Sequence, residues 1–486
     1  AIYKRELKSY FRSFIGFLFI AVTLFFLGLY FSVYNLMNGY PYFAYVVSSV
    51  TFLFMLTVPI LTMRILAEEK RSKTDQLILT APVSVGGIVM GKFLALLTIF
   101  AIPVAIICFY PLIMAQYGSV PMGEAYLSIL AYFLFGMTAI AIGLFLSSVT
   151  ESQVIAAVLT FLVLFLGYMM DSICSIISST GNLLTKILRC FDLYTPFSNL
   201  LNGTLDVSSI VYYASVTALV LFLTVQSIQK RRYSMSVKNL SFSAYSTGMI
   251  AVAVALVVVV NIIMGEMPSS WTAIDMTSQK LYSLTDQTVD YVKNMQDDVT
   301  IYVLVNQDNQ DTTLGQTLQR YDDLSDHITV EYVDPTVNPM FYTQYTTGNI
   351  STNSLIVVSD KRSKVIDYND VYESSYDFDY STYSYNTTTT GYDGEGQITS
   401  ALDYVLNDDM PKVYMTTGHN ELSLSNTFTS ALNKENVDYE TVNLMDLDAI
   451  PDDAACLFIN GATSDFSSDD KDKVIDYLNN GGKVIL

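Results

Sequence analysis

The segment EEKRSKTDQLILTAPV, Glu68–Val83, decides how the chain is interpreted, because it separates two long apolar stretches. Six of its first eight residues are charged. The stretches before and after it are each long enough to cross a membrane as a helix, which takes about 20 apolar residues. A charged segment between two such helices must lie in water, at the membrane surface.

Uncharged apolar runs of spanning length recur up to residue 265. The first run, 14–63, has room for two helices separated by a turn at Asn38-Gly39-Tyr40-Pro41. The single-span runs that follow are 93–123, 125–150, 152–170, 207–229 and 239–265. Helices in soluble domains are shorter and have a polar face. The pattern therefore predicts a membrane α-helical bundle of six spans with a seventh, anchoring span.

The two halves of the chain carry opposite charge. The first 240 residues contain 15 Lys and Arg against 9 Asp and Glu, whereas the remainder contains 11 against 37. Lys and Arg near span ends concentrate in 4–12, 64–92 and 230–238, and such clusters mark the inner side of a membrane. We therefore expect a multi-pass membrane protein with a cytoplasmic N-terminus and with residues 269–486 outside the cytoplasm.

The acidic half is predicted to be an extracytoplasmic α/β region with parallel sheets, because short apolar strands alternate there with helical stretches. The chain stops within an apparent strand, so we expect the last unit to be truncated. The predicted domains are 1–236, six spans with an N-terminal interfacial helix; 237–268, the seventh span; 269–395, the first α/β unit; and 396–486, the second.

Two features argue against energy coupling by this chain itself. The stretch GGIVMGKF, Gly86–Phe93, has the spacing of a phosphate loop but ends in Phe, where Ser or Thr would hold magnesium. No acidic or basic residue falls in the middle of a span, where proton and ion relays usually carry one. The sequence therefore predicts neither nucleotide binding nor ion coupling in this chain.

The cysteines and histidines give only weak site signals. No CxxC pair is present, so no metal site is predicted. Cys174 and Cys190 would form a disulfide bond if they share an outer loop, and two separate thiols are the alternative. His419 and Glu421 follow a strand, where α/β folds often place ligands, and they suit acid–base chemistry or the binding of a metal or other ligand. The alternative there is a turn that caps the following helix.

The opening segment resembles the signature that links spans two and three in type-2 ABC exporter permeases. Lys73 stands here where that pattern has glycine. The resemblance implies a coupling helix that is pressed by a separate cytoplasmic ABC ATPase. ATP and Mg²⁺ would bind in that partner, and no cofactor is expected in this chain. The residues that carry the resemblance and the predicted coupling role are Glu68, Glu69, Lys70, Arg71, Lys73, Thr74, Asp75, Leu77 and Leu79.

The same role has a physical argument that does not depend on the family. A short amphipathic segment held on rigid spans fits a groove of a soluble partner, with Leu77, Ile78 and Leu79 as apolar anchors. The alternative is an ordinary positive-inside loop without a partner.

The outer half resembles the auxiliary component of gliding-motility ABC transporters, which are bacterial. The matching stretches are Asp275-Met276-Thr277, Lys280–Thr285, Gly394–Ala401 and Thr417–Glu421. That component normally pairs with a separate six-span permease, so the chain resembles a fusion of the two. The resemblance implies a bacterial cell membrane, a dimer of this chain and two ATPase chains.

Three functions of different classes remain open. The complex exports a molecule, or it transmits motion to its outer domains and an envelope protein partner without carrying cargo, or its outer domain is an enzyme. An apolar cleft between spans would favour export, and closely packed spans would favour force transmission. The chain is not expected to be an enzyme by itself. Its partners would be the ATPase, a second copy and the lipid bilayer, with no nucleic acid.

Overall fold

The computed structural model describes residues 2–74, 83–177, 183–230, 240–265, 267, 272–277, 280–281, 283–306, 309–348, 350–379, 384–407 and 410–486. The chain divides into two compact units, Ala1–Ser283 and Leu284–Leu486.

The first unit is built from helices. In chain order they are α1 Ile2–Arg12, α2 Phe14–Phe31, α3 Ala44–Thr62, α4 Arg64–Arg71, α5 Val85–Ile107, α6 Tyr110–Met114, α7 Met122–Val149, α8 Gln153–Tyr168, α9 Met170–Ile177, α10 Leu183–Arg189, α11 Thr195–Leu201, α12 Val207–Gln229 and α13 Leu240–Gly265. A π-helical turn, Ser32–Met37, extends α2.

Within the described residues, six helical segments are long and apolar enough to cross a membrane. They are Phe14–Met37, Ala44–Arg71, Val85–Met114, Met122–Val149, Val207–Gln229 and Thr247–Gly265. The predicted fold class, a bundle of spanning helices followed by an α/β region, is confirmed.

The predicted fifth span is the shorter helix α8, with 16 residues. At 1.5 Å per residue it is about 24 Å long, less than the roughly 30 Å of a bilayer core. Helix α8 ends where the chain segment that precedes α11 packs against it. Leu193 N donates to Gly167 O at 3.0 Å, and a Cβ at Gly167 would lie 2.7 Å from the Leu193 side chain. Glycine therefore lets the segment before α11 pack on the last turn of α8.

Helix α7 is the centre of the bundle, because it is the most deeply buried of the spans. The rings of Phe54, Phe100 and Tyr132 pack together there, with centroids 5.0 to 5.4 Å apart. A Cβ at Gly136 would lie 2.3 Å from the Phe100 ring, so only glycine permits this approach of α5 to α7. The spans of one copy are thus closely packed around this aromatic group.

A short antiparallel pair lies at the end of the bundle opposite α1. Strand β1, Thr204–Asp206, pairs with β2, Ala273–Asp275, and Met276 N continues the pattern by donating to Gly203 O at 2.9 Å. We call this pair with its flanking residues, 203–206 and 273–277, the β-clamp. It attaches the chain that follows α13 to the start of α12.

Gly123, at the start of α7, and Asp275, within the β-clamp, hold the clamp in place. A Cβ at Gly123 would lie 2.8 Å from Met276 O, so the start of α7 packs directly on the clamp. The Asp275 carboxylate accepts hydrogen bonds from Thr277 N, Thr277 Oγ1 and Ser283 Oγ. The Asp-Met-Thr motif of the sequence therefore forms a closed turn.

The second unit contains two four-stranded sheets and a hairpin. Its elements are α14 Asp286–Lys293, β3 Val299–Val303, α15 Thr312–Leu324, β4 Ile328–Tyr332, β5 Leu355–Val358, β6 Ser363–Ile366, α16 Tyr368–Val371, β7 Tyr372–Asp379, β8 Ser384–Tyr392, α17 Gly394–Leu406, β9 Lys412–Thr417, α18 Asn426–Lys434, β10 Asp438–Asn443, β11 Ala454–Phe458, α19 Ser468–Asn479 and β12 Val484–Ile485. Strands β7 and β8 form the hairpin.

The two sheets differ in strand direction. The sheet with order β10-β9-β11-β12 is parallel throughout, as the alternation of strands and helices predicts. The sheet with order β4-β3-β5-β6 is mixed, because β3 and β4 are parallel while β3–β5 and β5–β6 are antiparallel. Only four residues join β5 to β6, too few for a crossover helix, so they form a hairpin.

Helix α17 packs on the mixed sheet, β4-β3-β5-β6. Ile398, Ala401, Leu402 and Val405 are fully buried in the core beneath β3 and β5. The domain limits proposed from the sequence, with a boundary between 395 and 396, stay predictions. The burial of α17 favours a boundary after Leu406.

Candidate functional site

The bend between α3 and α4 is held by a serine of α7. Helix α3 ends at Thr62 and α4 begins at Arg64, with Met63 between them. Ser147 Oγ donates to Met63 O at 3.1 Å and accepts from the N–H groups of Leu66 and Ala67 at 3.2 and 3.0 Å. Buried backbone groups need partners, so this hydroxyl stabilises both sides of the bend. It fixes the direction in which α4 leaves the bundle.

Helix α4 ends in a left-handed turn at Lys73, where φ is 57°. Thr74 N donates to Glu69 O at 3.0 Å and Lys73 N to Lys70 O at 3.2 Å. This is the Schellman pattern of a helix C-terminus, in which glycine usually occupies the left-handed position. The geometry explains why glycine suits this place in the pattern that the sequence resembles. Lys73 adopts the same conformation with backbone strain.

Lys92, near the start of α5, is completely buried between two carboxylates. Its Nζ lies 3.2 Å from Glu6 Oε1, 2.8 Å from Glu69 Oε1 and 3.1 Å from Ile65 O. Its side chain has 0% exposure. An ammonium has three N–H donors, and here each has an acceptor. Because Glu6 is on α1 and Glu69 on α4, Lys92 joins three helices at one point.

Arg5 completes the group from the exposed side. One guanidinium nitrogen, Nη2, lies 2.5 Å from Glu6 Oε1 and 3.1 Å from Glu69 Oε1, and its side chain is half exposed. Each carboxylate therefore has one buried and one exposed cation. We call Arg5, Glu6, Glu69 and Lys92 the charged cluster, and the end of the bundle that contains it the charged end.

A groove of about 280 Å³ lies beside the charged cluster, between α1 and α4. Arg5, Ser9, Glu68 and Thr74 are among its lining residues. Arg64 forms an ion pair with Glu68 one turn further along α4. The groove therefore presents charges of both signs on a rigid frame, which suits polar side chains of a partner protein.

The structure brings together several of the predicted coupling residues. Glu69 is in the charged cluster, and Glu68 borders the groove. Lys70 Nζ donates to Val149 O at 2.8 Å, which ties α4 to the end of α7. Arg71 is exposed next to the left-handed turn of Lys73 and Thr74. Asp75, Leu77 and Leu79 lie outside the described residues.

Sequence reasoning missed the part played by α1. Arg5 and Glu6 contact residues more than 60 positions away, and Tyr10 Oη donates to Leu61 O at 2.9 Å. A signal was present, because Glu6 is the one acidic residue among the basic residues of 4–12. Lys92 gave a second signal as a charge at the start of a spanning helix. The sequence does not indicate which side chains Glu6 and Lys92 contact.

His419 lies at the carboxyl end of β9, between two carboxylates. Its Nδ1 is 3.6 Å from Glu421 Oε1 and its Nε2 is 3.4 Å from Asp470 Oδ2. The ring is 4% exposed and stacks on Phe466, with centroids 4.0 Å apart. His419 O accepts the N–H groups of Thr463 and Ser464, each at 3.0 Å. These contacts bind the loop after β9 to the loop after β11.

The two carboxylates beside His419 are held in their charged form. Burial raises the pKa of Glu421, but hydrogen bonds from backbone N–H groups, among them that of His419, outweigh it and leave this pKa below its usual value. The Ser467 hydroxyl holds the pKa of Asp470 below its usual value, although burial opposes this. Among the described residues, no group of three His, Cys, Asp or Glu side chains is arranged to hold a metal ion. The ligand site at His419 and Glu421 stays a prediction.

No disulfide bond joins Cys174 and Cys190, the possible pair, in the described residues. Cys174 is buried, and its thiol donates to Thr185 O at 3.8 Å rather than bonding to Cys190. The pairing of these two cysteines stays a prediction.

The helical bundle and the α/β unit together define a multi-pass membrane protein with a folded domain attached. Residues 5–228 match the family described as ABC-2 family transporter protein. This part of the chain is therefore an ABC-2 family transporter membrane domain. Residues 278–371 match a domain of unknown function, DUF7088. No curated protein matches the chain.

The family match confirms the coarser part of the sequence-based assignment. ABC-2 membrane domains usually pair with an ATPase and typically lack catalytic activity of their own. The link to gliding-motility transporters, the dimer and the orientation in the membrane stay predictions.

Proposed function

We propose that this chain is the membrane subunit of an ATP-driven exporter, moved by a separate ABC ATPase that docks at the charged end. The observation that carries the proposal is the buried contact of Lys92 with both Glu6 and Glu69. It joins α1 and α5 to α4, which carries the first part of residues 68–80 that the sequence predicts to be pressed by the ATPase.

A push on that segment reaches two spans at once. The chain leads from it into α5 on one side, and through α4 and the Ser147-stabilised bend into α3 on the other. The charged cluster makes α1 move with them, because separating a fully buried ammonium from its carboxylates costs several kcal/mol. These helices therefore act as one lever.

The charges at this end support a cytoplasmic orientation and an acidic partner surface. Lys4, Lys8, Arg71 and Lys73 are exposed around the cluster. Basic residues of this kind mark the cytoplasmic side of a membrane protein and steer a partner of opposite charge. ATP and Mg²⁺ bind in that partner. A dimer of the chain places the transport path between two bundles, because the spans of one copy are closely packed.

The test is co-purification of the full chain with its ATPase, followed by measurement of ATP hydrolysis. Replacing Thr74, Asp75 and Leu77 together with alanine is expected to abolish both the association and the stimulated hydrolysis. The matched control is Gln116→Ala with Tyr117→Ala, two exposed residues at the opposite end of the bundle. An ATPase that stays bound to the triple variant would contradict the docking site.

A second candidate function is force transmission without cargo, and both the close packing of the spans and the β-clamp favour it. The clamp attaches residues 273–277 to the start of α12, only a few residues before the second unit begins. Movement of α12 would then displace the chain that enters that unit. The acidic domains would act on an envelope protein.

Hydrogen exchange distinguishes the two functions in the assembled complex. Force transmission predicts that ATP changes amide exchange in 273–277 and in peptides beyond residue 284. Export alone predicts changes confined to the spans. The variant Gly123→Val, which disturbs the clamp, should remove the distant change in the first case and have no such effect in the second.

A further inference from the structure

We propose that a cavity at the end of the bundle opposite the charged cluster binds an ammonium group, carried either by a small organic cation or by a lipid head group. This site is independent of the proposed ATPase docking, because the two lie at opposite ends of the spanning helices. Its lining combines aromatic rings with one carboxylate.

The cavity has a volume of about 330 Å³, within the range of small-ligand pockets. It is lined by residues from the start of α3, the start of α7, helix α11 and the β-clamp. The lining side chains that matter for recognition are Tyr42, Tyr45, Glu124, Tyr194, Ser198 and Asn202. Of the described lining residues, Glu124 is the one that carries a formal charge.

One aromatic wall is positioned by the turn between α2 and α3. Asn35 Nδ2 donates to Tyr40 O at 2.6 Å and to Tyr42 O at 3.3 Å, which holds this turn over the end of the π-helical segment. Gly39 supplies the left-handed residue of the turn, with φ of 69°. Tyr42 and Tyr45 then meet edge to face, with ring centroids 6.4 Å apart.

The other aromatic wall is positioned by a buried aspartate. Asp192 Oδ1 accepts the N–H groups of Tyr194 and Thr195 at 2.9 and 3.2 Å, and so begins helix α11. The Tyr194 ring packs against Tyr168, with centroids 4.6 Å apart. Contacts outside the cavity therefore hold both aromatic walls in position without a ligand.

Glu124 lies in the first turn of α7, over the β-clamp. Its Cγ would lie 3.0 Å from a Cβ at Gly203, so the glycine makes room for the glutamate. Its negative charge acts on Tyr42 in the aromatic wall. Burial raises the pKa of Tyr42 above its usual value, and the nearby charge of Glu124 raises it further.

The chemistry of this lining favours a cation over a neutral ligand. Tyrosine faces attract ammonium groups, at exposed sites as well as at buried ones. A carboxylate beside the rings adds direct attraction, whereas it gives a neutral ligand only a hydrogen-bond acceptor. The hydroxyl of Ser198 and the amide of Asn202 can accept hydrogen bonds from a primary ammonium.

The test uses the full chain in nanodiscs made of phosphatidylglycerol alone, which contain no ammonium lipid. Choline binding is compared with that of its neutral analogue 3,3-dimethyl-1-butanol by calorimetry. We expect choline to bind about tenfold more tightly or better. Equal binding of the two compounds, or binding of neither, would overturn the proposal.

Variants assign the binding to this cavity. Glu124→Gln and Tyr45→Leu should each weaken choline binding about tenfold, while Tyr45→Phe keeps the ring and should retain most of it. Tyr45 is 54% exposed, so its replacement leaves the fold intact. Tyr117→Leu, at an exposed position outside the lining, is the matched control. Undiminished choline binding to both Glu124→Gln and Tyr45→Leu would place the ligand elsewhere and refute the assignment.

A second nanodisc composition identifies the source of the ammonium group. If the cavity takes lipid head groups, adding phosphatidylethanolamine should reduce choline binding to the wild-type chain by competition. If it takes free cations, the affinity should be the same in both membranes.

Discussion

The charged end and the His419 loop, residues 417–424, contain the same kinds of side chains but connect different structural elements. Each has a buried nitrogen base between two carboxylates: Lys92 between Glu6 and Glu69, and His419 between Glu421 and Asp470. Lys92 makes close contacts of 2.8 to 3.2 Å and joins three helices. His419 is 3.4 to 3.6 Å from its carboxylates and joins two loops of a single sheet.

The difference shows that the elements linked by a charge cluster, rather than its composition, indicate its role. The cluster around Lys92 joins helices that lead into the predicted ATPase-contacting segment, so it is placed to transmit movement. The contacts of His419, including its ring on Phe466 and its carbonyl on Thr463 and Ser464, close the end of the sheet. This arrangement favours a structural role, and the ligand site at His419 and Glu421 stays a prediction.

The largest effect on stability is expected from removing the buried cation of the charged cluster, Lys92. Lys92→Met leaves Glu6 and Glu69 without their buried partner, and we expect a loss of about 3 kcal/mol of unfolding free energy. Thermal unfolding of the full chain in detergent measures it. Stimulation of the partner ATPase should fall as well, because α5 then loses its ion pairs with α1 and α4.

The control for that variant is Lys8→Met, an exposed lysine on α1. It should change the unfolding temperature little, because exposed charges contribute roughly 0 to 1 kcal/mol. If the two variants were equally stable, the cluster would not hold the three helices together.

A smaller effect is expected at the β-clamp, the link at the other end of the bundle. Gly123→Val introduces side-chain atoms where Met276 O already lies 2.8 Å from the Cβ position. Overpacking of this kind costs typically about 1 to 3 kcal/mol. Thermal unfolding and faster amide exchange in 273–277 would report it. Gly118→Val, where nothing lies within 4 Å of the Cβ position, is the matched control.

The His419 loop should respond to pH in a way that sharpens its structural assignment. Glu421 and Asp470 have pKa values lowered in the folded state, so their contribution to stability is complete above their usual pKa range, near pH 4 to 5. It is lost as pH falls through the lowered values. Hydrogen exchange of 417–424 should therefore speed up below about pH 4.

Glu421→Gln should reduce that pH dependence, whereas Asp472→Asn, at an exposed carboxylate on the same helix as Asp470, should preserve it. His419→Ala with Glu421→Ala also tests the enzyme hypothesis for the outer domain. Transport or ATPase coupling that continues unchanged, with only local loosening of the loop, would leave no catalytic role for this pair.

The smallest predicted effect concerns Lys73. Lys73→Gly should stabilise the chain by about 1 kcal/mol, because glycine adopts the left-handed conformation without the penalty of a side chain. Ser72→Gly is the contrasting control, since Ser72 has ordinary helical geometry and its Oγ donates to Glu68 O. It should lower the unfolding temperature. A Lys73→Gly variant no more stable than wild type would show that the turn is not strained.

Much of the second unit follows from local sequence. Short apolar runs at 300–305, 328–333 and 355–358 predict strands, and β3, β4 and β5 form there, because apolar β-branched runs bounded by polar turns mark buried strands. Strand β10, DYETVN, was not predicted, since it lies at the edge of its sheet and is mostly exposed. The antiparallel pairing of β5 with β6 was also missed, because it depends on a four-residue turn rather than on apolar pattern.

The sequence by itself determined most of the spanning helices and the charge asymmetry, because these depend on apolar run length and on composition. Only the tertiary structure decided which charges meet. The contacts of Lys92 with Glu6 and Glu69, and of Gly123 with Met276, depend on how segments far apart in the sequence pack. Burial turns a lysine that looks like one more positive residue at a span end into the point where three helices are joined, since a charge without water must find partners within reach.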